Sequence, residues 1–341
     1  MKVVITGASG YLGTLLTRDL VKKGALTNRK GQLSPIDEIV LFDASFPSRP
    51  ACGAQPASGP KLVTVAGSVA DAGLLSQTIR GGDVSVFHLA AVLTGVTERD
   101  LPTALQVNVD GTRNVLTALA ACGEGSRFVT TSSVTVYTRD ADDNVVDDDT
   151  VVRPASVYGL TKIISEGLVA AFRIPGAVDG RCGRLSTVVI RPKKIGVSAG
   201  ASISDILRDV ALGRPCDVLL TPETRSALID YQSTVAGLIR LHEIDGPALD
   251  GNPVVNFPSL SASVAEMIAA ASAAAQGRGV APGQTRSTPN AFAQKTVDAW
   301  PSHVDSSRAI ALGITCKSSL DEMCDSFLAD YDSFWKAHIE A

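Results

Sequence analysis

Short apolar runs rich in β-branched residues alternate with stretches of helical periodicity through the first two-thirds of the chain. Residues 2–6, 38–42, 62–65, 84–88, 127–131 and 187–191 read as strands, and 12–23, 103–122 and 155–172 as helices. Strands alternating with helices are joined by right-handed crossovers into a parallel sheet covered on both faces. The expected fold class is therefore α/β, a doubly wound parallel sheet. Residues 24–35 and 44–60, rich in Gly, Pro, Ser and Asn, read as long loops flanking the second strand. After Arg191 the rhythm fades. Residues 196–222 and 276–301 carry little periodicity apart from a short helix near 203–212, which points to a smaller C-terminal lobe.

Composition excludes several classes. In 341 residues, 45% hydrophobic and 19% charged, there is ample material for a packed core. A formal net charge of −4 gives no electrostatic reason for a nucleic-acid or anionic-membrane partner. The opening MKVVITG runs from strand to turn without a secretory pattern, and no apolar stretch is long enough to span a bilayer. Cys52, Cys122, Cys182, Cys216, Cys316 and Cys324 form no CxxC pair and are expected to be free thiols in the cytoplasm. His88, His242, His303 and His338 lie far apart, so no metal site is expected and each reads as structural.

The first strand ends in Thr6-Gly7-Ala8-Ser9-Gly10-Tyr11-Leu12-Gly13, directly before a helical segment. Glycines at 7, 10 and 13 allow a tight turn, close approach of backbone N–H groups to a pyrophosphate, and close packing of helix on strand. The helix N-terminus adds partial positive charge beneath the anion. Asp43, at the end of the second strand, can accept both ribose hydroxyls and would repel a 2′-phosphate, which favours NAD over NADP. Arg49, in the following loop, weighs slightly the other way.

An ordered series follows: His88-Leu89-Ala90-Ala91, Asn108-Val109-Asp110-Gly111-Thr112, Ser132-Ser133-Val134-Thr135-Val136-Tyr137, Tyr158-Gly159-Leu160-Thr161-Lys162 and Arg191-Pro192. With the glycine loop, and with Asp305-Ser306-Ser307-Arg308 and Leu312-Gly313 near the end, this series resembles the extended short-chain dehydrogenase/reductases over roughly the whole chain. That group contains the NAD-dependent epimerases and dehydratases. The resemblance implies a Rossmann domain at 1–192, rejoined by about 226–258, and a substrate-binding lobe formed by 193–225 and 259–341. It implies a Ser133, Tyr158 and Lys162 catalytic triad. It also implies an NAD site formed by Gly7, Ser9, Gly10, Tyr11, Leu12, Asp43, Ser68, Leu89, Ala90, Ala91, Asn108, Tyr158, Lys162 and Pro192. The chemistry also follows from the residues. A lysine one helical turn from a tyrosine stabilises its phenolate, which can take a hydroxyl proton while hydride leaves the same carbon. Helices 103–122 and 155–172 resemble those of the family's four-helix interface, so a homodimer is expected.

Three departures bear on the substrate. Gly67-Ser68 stands where many members carry Gly-Asp against the adenine. Arg191-Pro192-Lys193-Lys194 replaces R-x-x-N, and Lys194 in place of the amide suggests an anionic group on a small substrate. The stretches 35–43, 178–181 and 184–194 resemble the D-erythronate dehydrogenase branch, although Ser186 and Lys193 stand where Pro and Gly are expected, and Thr138 where Gly is. The expected activity is oxidation of a secondary hydroxyl of a small sugar acid, D-erythronate-like, at C2. The alternative is a nucleotide-sugar epimerase or dehydratase with tightly bound NAD. A non-catalytic NAD sensor is disfavoured by the intact triad. Ser133, Lys194, Arg208 and Arg225 are the candidate substrate contacts; Arg214 lies in the same region.

Overall fold

A computed structural model describes residues 1–46, 58–138, 145–192 and 199–339. Its main element is a seven-stranded sheet. The strands are β1 (Lys2–Thr6), β2 (Glu38–Asp43), β3 (Lys61–Ala66), β4 (Val84–His88), β5 (Ser126–Ser133), β6 (Val178–Leu185) and β7 (Val254–Asn256), in the order β7-β6-β5-β4-β1-β2-β3. Pairing is parallel in the registers Val4↔Val40, Val4↔Val86, Val40↔Val63 and Val86↔Phe128. The order reverses at β1, where chain direction on the two sides leaves a crevice beyond the strand ends. β1 and β4 are apolar on both faces, as strands covered by helices must be: Val3, Val4, Ile5, Val86 and Phe87 are all fully buried.

Helices flanking the sheet include α1 (Tyr11–Lys23), α2 (Ala72–Thr78), α3 (Gly111–Ala120) and α4 (Val157–Arg173). α3 is preceded by a widened π-helical turn, Leu105–Asp110. α4 is amphipathic, starts at Ser156, whose hydroxyl accepts from Gly159 N, and buries Lys162, Ser165, Glu166 and Val169 on one face. The core between α2, α3 and the sheet contains Leu75, Val115, Leu116, Leu119 and Phe128.

The doubly wound sheet is as expected, but one strand is not. The sixth strand is Val178–Leu185, and Thr187–Val189 belongs to a separate three-stranded sheet with Arg225–Asp230 and Leu260–Ser263. Residues 24–35 are not wholly loop either; Ala25–Thr27 and Leu33–Pro35 pair antiparallel. The chain forms two compact units. The first comprises Met1–Val136, Ser156–Arg184 and Val235–Val255; the second comprises Tyr137–Ala155, Leu185–Thr234 and Asn256–Ala341. Segments 137–155 and 185–192, read from sequence as part of the first domain, thus group with the second, as does 226–234. The second unit also has helices where little periodicity is visible, including Ala291–Asp298. No helix among the described residues is long and apolar enough to cross a membrane.

Candidate active site

β1 delivers the chain into the glycine loop at Gly7, which adopts φ +73°. A Cβ at Gly7 would lie 2.7 Å from Ala90 N and 2.8 Å from Leu89 C, so this loop and the segment after β4 meet backbone to backbone. A Cβ at Gly13 would lie 2.3 Å from Gly7 O, which explains why the first turn of α1 needs glycine to fold beneath the loop. The α1 N-terminus has no side-chain cap and no acidic residue in its first turn, which contains Tyr11 and Leu12. Its amide dipoles are therefore offered to an external anion. Asp43 closes the other side. Its Oδ2 accepts from Ser9 N at 2.9 Å and Ser9 Oγ at 2.8 Å, while Oδ1 accepts from Ala44 N. Ser68 follows β3 on the surface, its hydroxyl accepting from Ala70 N.

The segment after β4 is fixed by Asn108. Its Oδ1 accepts from Val92 N at 2.9 Å and its Nδ2 donates to Val92 O at 3.0 Å, holding the backbone just beyond Leu89, Ala90 and Ala91. Asn108 sits in the π-helical turn, a device that recurs at functional sites because it re-aims one side chain without ending the helix.

On α4, Tyr158 is half-buried and Lys162 is buried. Lys162 Nζ lies 5.5 Å from the Tyr158 ring centroid and donates to Thr131 O at 2.9 Å. Its other two N–H groups have no partner among the described residues. Thr131 and Ser133 share one face of β5, and Ser133 Oγ accepts from Thr135 N at 3.2 Å, leaving its own proton to donate. The neighbouring Ser132 and Thr135 hydroxyls are buried and unpartnered among the described residues. Beneath Lys162, burial pushes the Cys182 thiol well above its ordinary range.

The structure thus brings Gly7 to Leu89 and Ala90, Ser9 to Asp43, and Tyr158 to Lys162. Pro192, Arg208 and Arg225 belong to the second unit. There Arg208 is buried and held by Asp209 at 2.8 Å and Asp205 at 2.7 Å, so its charge is already matched by two carboxylates on its own helix. Arg225 is exposed and pairs with Glu266 at 3.2 Å. Lys193, Lys194, Arg49 and Cys52 lie outside the described residues. Sequence reasoning missed the threonines that wire the site together, Thr6, Thr112, Thr131 and Thr161. For two of them a signal exists, since Thr112 is one turn beyond Asn108 and Thr161 three residues beyond Tyr158. Among the described residues no His, Cys, Asp and Glu cluster could hold a metal.

The donor set fits a dinucleotide: an uncapped helix N-terminus for the phosphates, a carboxylate at the second strand end for a ribose, and free ammonium N–H groups for a second ribose. The sequence model of the NAD dependent epimerase/dehydratase family matches residues 3–243. The chain is 36% identical to D-erythronate dehydrogenase of Cupriavidus necator, over 97% of this chain and 98% of that protein. It is 27% identical to D-erythronate dehydrogenase of Haemophilus influenzae, over 97% of this chain and all of that one. A crystal structure described as a nucleoside-diphosphate-sugar epimerase from Agrobacterium tumefaciens superposes with a TM-score of 0.85 at 28% identity, covering 98% of this chain and 95% of that one. On this evidence the protein belongs to the NAD dependent epimerase/dehydratase family, as an NAD-dependent dehydrogenase of the extended short-chain type.

Proposed function

We propose that the protein oxidises a secondary hydroxyl of a small sugar acid, D-erythronate or a close relative, at C2, with Tyr158 as the acid–base group. The Tyr158–Lys162 pair carries this reading. Lys162 Nζ donates to the Thr131 carbonyl at 2.9 Å and lies 5.5 Å from the Tyr158 ring centroid. In general a cation beside a hydroxyl acid favours its ionised form. Tyr158 then takes the substrate hydroxyl proton, Ser133 Oγ holds the reacting oxygen, and the remaining Lys162 N–H groups hold the nicotinamide ribose. NAD, when bound, supplies the hydride acceptor. The pyrophosphate falls to Gly7, Ser9, Gly10, Tyr11 and Leu12 and the adenosine to Asp43 and Ser68, and Leu89, Ala90, Ala91, Asn108 and Pro192 line the remainder. Asp43 favours NAD over NADP.

The substrate class rests on the 36% identical relative across nearly the whole chain; Lys194 and Arg225 are the proposed carboxylate contacts. Arg208 is the weaker candidate because Asp205 and Asp209 already hold it. We also propose a homodimer, and a cytoplasmic location, with which the free state of the five described cysteines agrees. The 28% identical structure supports a second reading, nucleotide-sugar epimerisation.

A panel of four- to six-carbon sugar acids, monitored for NADH, tests the first reading against the second. NADH formation with one acid, reduced roughly 100-fold or more in Tyr158→Phe, is expected for loss of an acid–base group. Interconversion of UDP-sugars without net NADH, or full turnover by Tyr158→Phe, would overturn it.

A further inference from the structure

His88 ends β4 in full burial, beside the Phe128 ring at 5.8 Å. Its Nδ1 lies 2.7 Å from Thr6 Oγ1 and its Nε2 3.1 Å from Thr112 Oγ1. Either nitrogen could carry the proton in isolation, but the neighbouring bonds decide. Thr112 gives its single hydroxyl proton to Asn108 O at 2.7 Å, so toward His88 it can only accept. Nε2 therefore bears the hydrogen. Burial, reinforced by the nearby Lys162 charge, lowers His88 to about 3, so the ring is neutral. Nδ1 is then a lone pair that takes the Thr6 hydroxyl proton, and Thr6 Oγ1 in turn accepts from Ala90 N at 3.4 Å.

Beyond Asn108 the same polarity continues. Asn108 Nδ2 donates to Thr161 Oγ1 at 3.1 Å, and Thr161 Oγ1 donates to the peptide carbonyl of Tyr158 at 2.8 Å. One run of bonds thus points from Ala90 and Thr6, beside the glycine loop, through His88 and Thr112 to the Asn108 main-chain carbonyl; a second starts at the Asn108 side-chain amide and ends on the turn of α4 that presents Tyr158, the two joined through the Asn108 residue itself. Hydrogen bonds aligned head to tail polarise one another, and a buried link is costly to leave unmade.

We propose that His88, locked as the Nε2–H tautomer, is a positioning residue that couples the nucleotide loop to the tyrosine-bearing turn of α4. The proposal rests on the reading of Tyr158 as the acid–base group, and it divides His88 into two arms. The Nδ1 arm holds Thr6 and the loop that meets NAD. The Nε2 arm holds Thr112, Asn108 and, through Thr161, the Tyr158 turn.

Two substitutions separate the arms. In His88→Asn an amide oxygen can stand near Nδ1 and keep Thr6, but nothing reaches Thr112. In His88→Gln an amide nitrogen can stand near Nε2 and keep Thr112, but Thr6 loses its acceptor. One buried hydrogen bond lost corresponds to roughly 5- to 100-fold. His88→Asn is therefore expected to lower kcat by about that factor, with a smaller loss of NAD affinity because Asn108 also holds Val92 after β4. His88→Gln is expected to do the reverse, weakening NAD measured by calorimetry without substrate. Nitrogen-15 spectra of the protein, with the His88 signal assigned by elimination against His242→Gln, His303→Gln and His338→Gln, the other three histidines, are expected to show a neutral ring protonated at Nε2. A cationic or Nδ1–H ring would overturn the proposal even if both variants failed to fold. So would variants that lose thermal stability alone, keeping kcat and NAD affinity. Failure of the Tyr158 reading is seen separately, as undiminished turnover by Tyr158→Phe; the tautomer and the NAD affinities are read without turnover.

Discussion

Glu166 lies one helical turn beyond Lys162 and accepts two near-parallel hydrogen bonds from Arg184, at 2.9 and 2.8 Å, with both side chains buried. Such a fork fixes the rotation of α4 against β6 and so the direction in which Lys162 enters the site. Removing Arg184 strips the buried Glu166 carboxylate of both these hydrogen bonds, which costs about 3–5 kcal/mol, whereas removing both charges leaves mainly a packing defect. Arg184→Met is therefore expected to lower the unfolding free energy by about 3–5 kcal/mol, and Glu166→Met with Arg184→Met to recover most of that loss. Urea unfolding of the three proteins checks this; a double variant as unstable as the single would mean that the charges are not what the site needs. The residues proposed for the chemistry are the most legible in the sequence, because Tyr158, Lys162 and Ser133 sit at fixed offsets within regular elements. Thr131 is not, since it acts through its carbonyl, which any residue there would supply.

At the scale of elements, β6 shows why the sixth strand was misread. Val178–Leu185 is Val-Asp-Gly-Arg-Cys-Gly-Arg-Leu, a poor strand by hydropathy, whereas 187–191 is almost purely β-branched and apolar. Pairing overrides the pattern. Arg181, fully buried, donates to Leu241 O at 2.6 Å and His242 O at 2.7 Å, and pairs with Asp179 at 2.7 Å. The strand's charges are thus absorbed by an acid two residues away and by the carbonyls ending the helix Tyr231–Glu243, and the second of these relations lies in no local window. An opposite mismatch appears near the start of α4, where Leu101, Leu105 and Leu160 are apolar yet exposed. They lie on Leu101–Ala104, the π-helical turn and α4, elements packed against one another. If these helices form the proposed homodimer, Leu105→Glu with Leu160→Glu should convert it to monomer. Light scattering reads the outcome directly: wild type at twice 35.4 kDa supports the interface, while a monomeric wild type, or a charged variant that remains dimeric, removes it.

For the molecule as a whole, the buried histidines set the response to acid. His88 is lowered to about 3 by burial and the Lys162 charge. His242 is lowered to about 4, chiefly by burial and also by Arg127 and Arg181, against the opposing pull of Glu243. His242 is satisfied as a neutral ring, with Nδ1 2.9 Å from Glu243 Oε1, Nε2 2.9 Å from Ser85 Oγ, and Phe87 stacked at 5.3 Å. Both rings ionise near 6.5 once the chain unfolds. Between pH 6.5 and 4 the unfolded chain therefore binds more protons than the folded one, and stability must rise with pH. The contribution is fully present above 6.5 and is lost as pH falls through 4 and then 3. Each histidine adds a slope approaching about 1.4 kcal/mol per pH unit near pH 5, so the pair gives about 2–3. Carboxylates act lower: Glu243, held near 2 by hydrogen bonds from His242 and Thr27 against the cost of burial, keeps its stabilising contribution down to the ordinary carboxylate range and loses it only below. The pH 5–6 interval therefore isolates the histidines. Urea-unfolding free energies of the full chain are expected to fall by about 2 kcal/mol from pH 6 to 5, with His242→Gln roughly halving the slope whatever it does to stability at pH 7. A flat profile through that interval would mean that both rings are charged in the folded chain, and that His88 Nδ1 does not take the Thr6 proton.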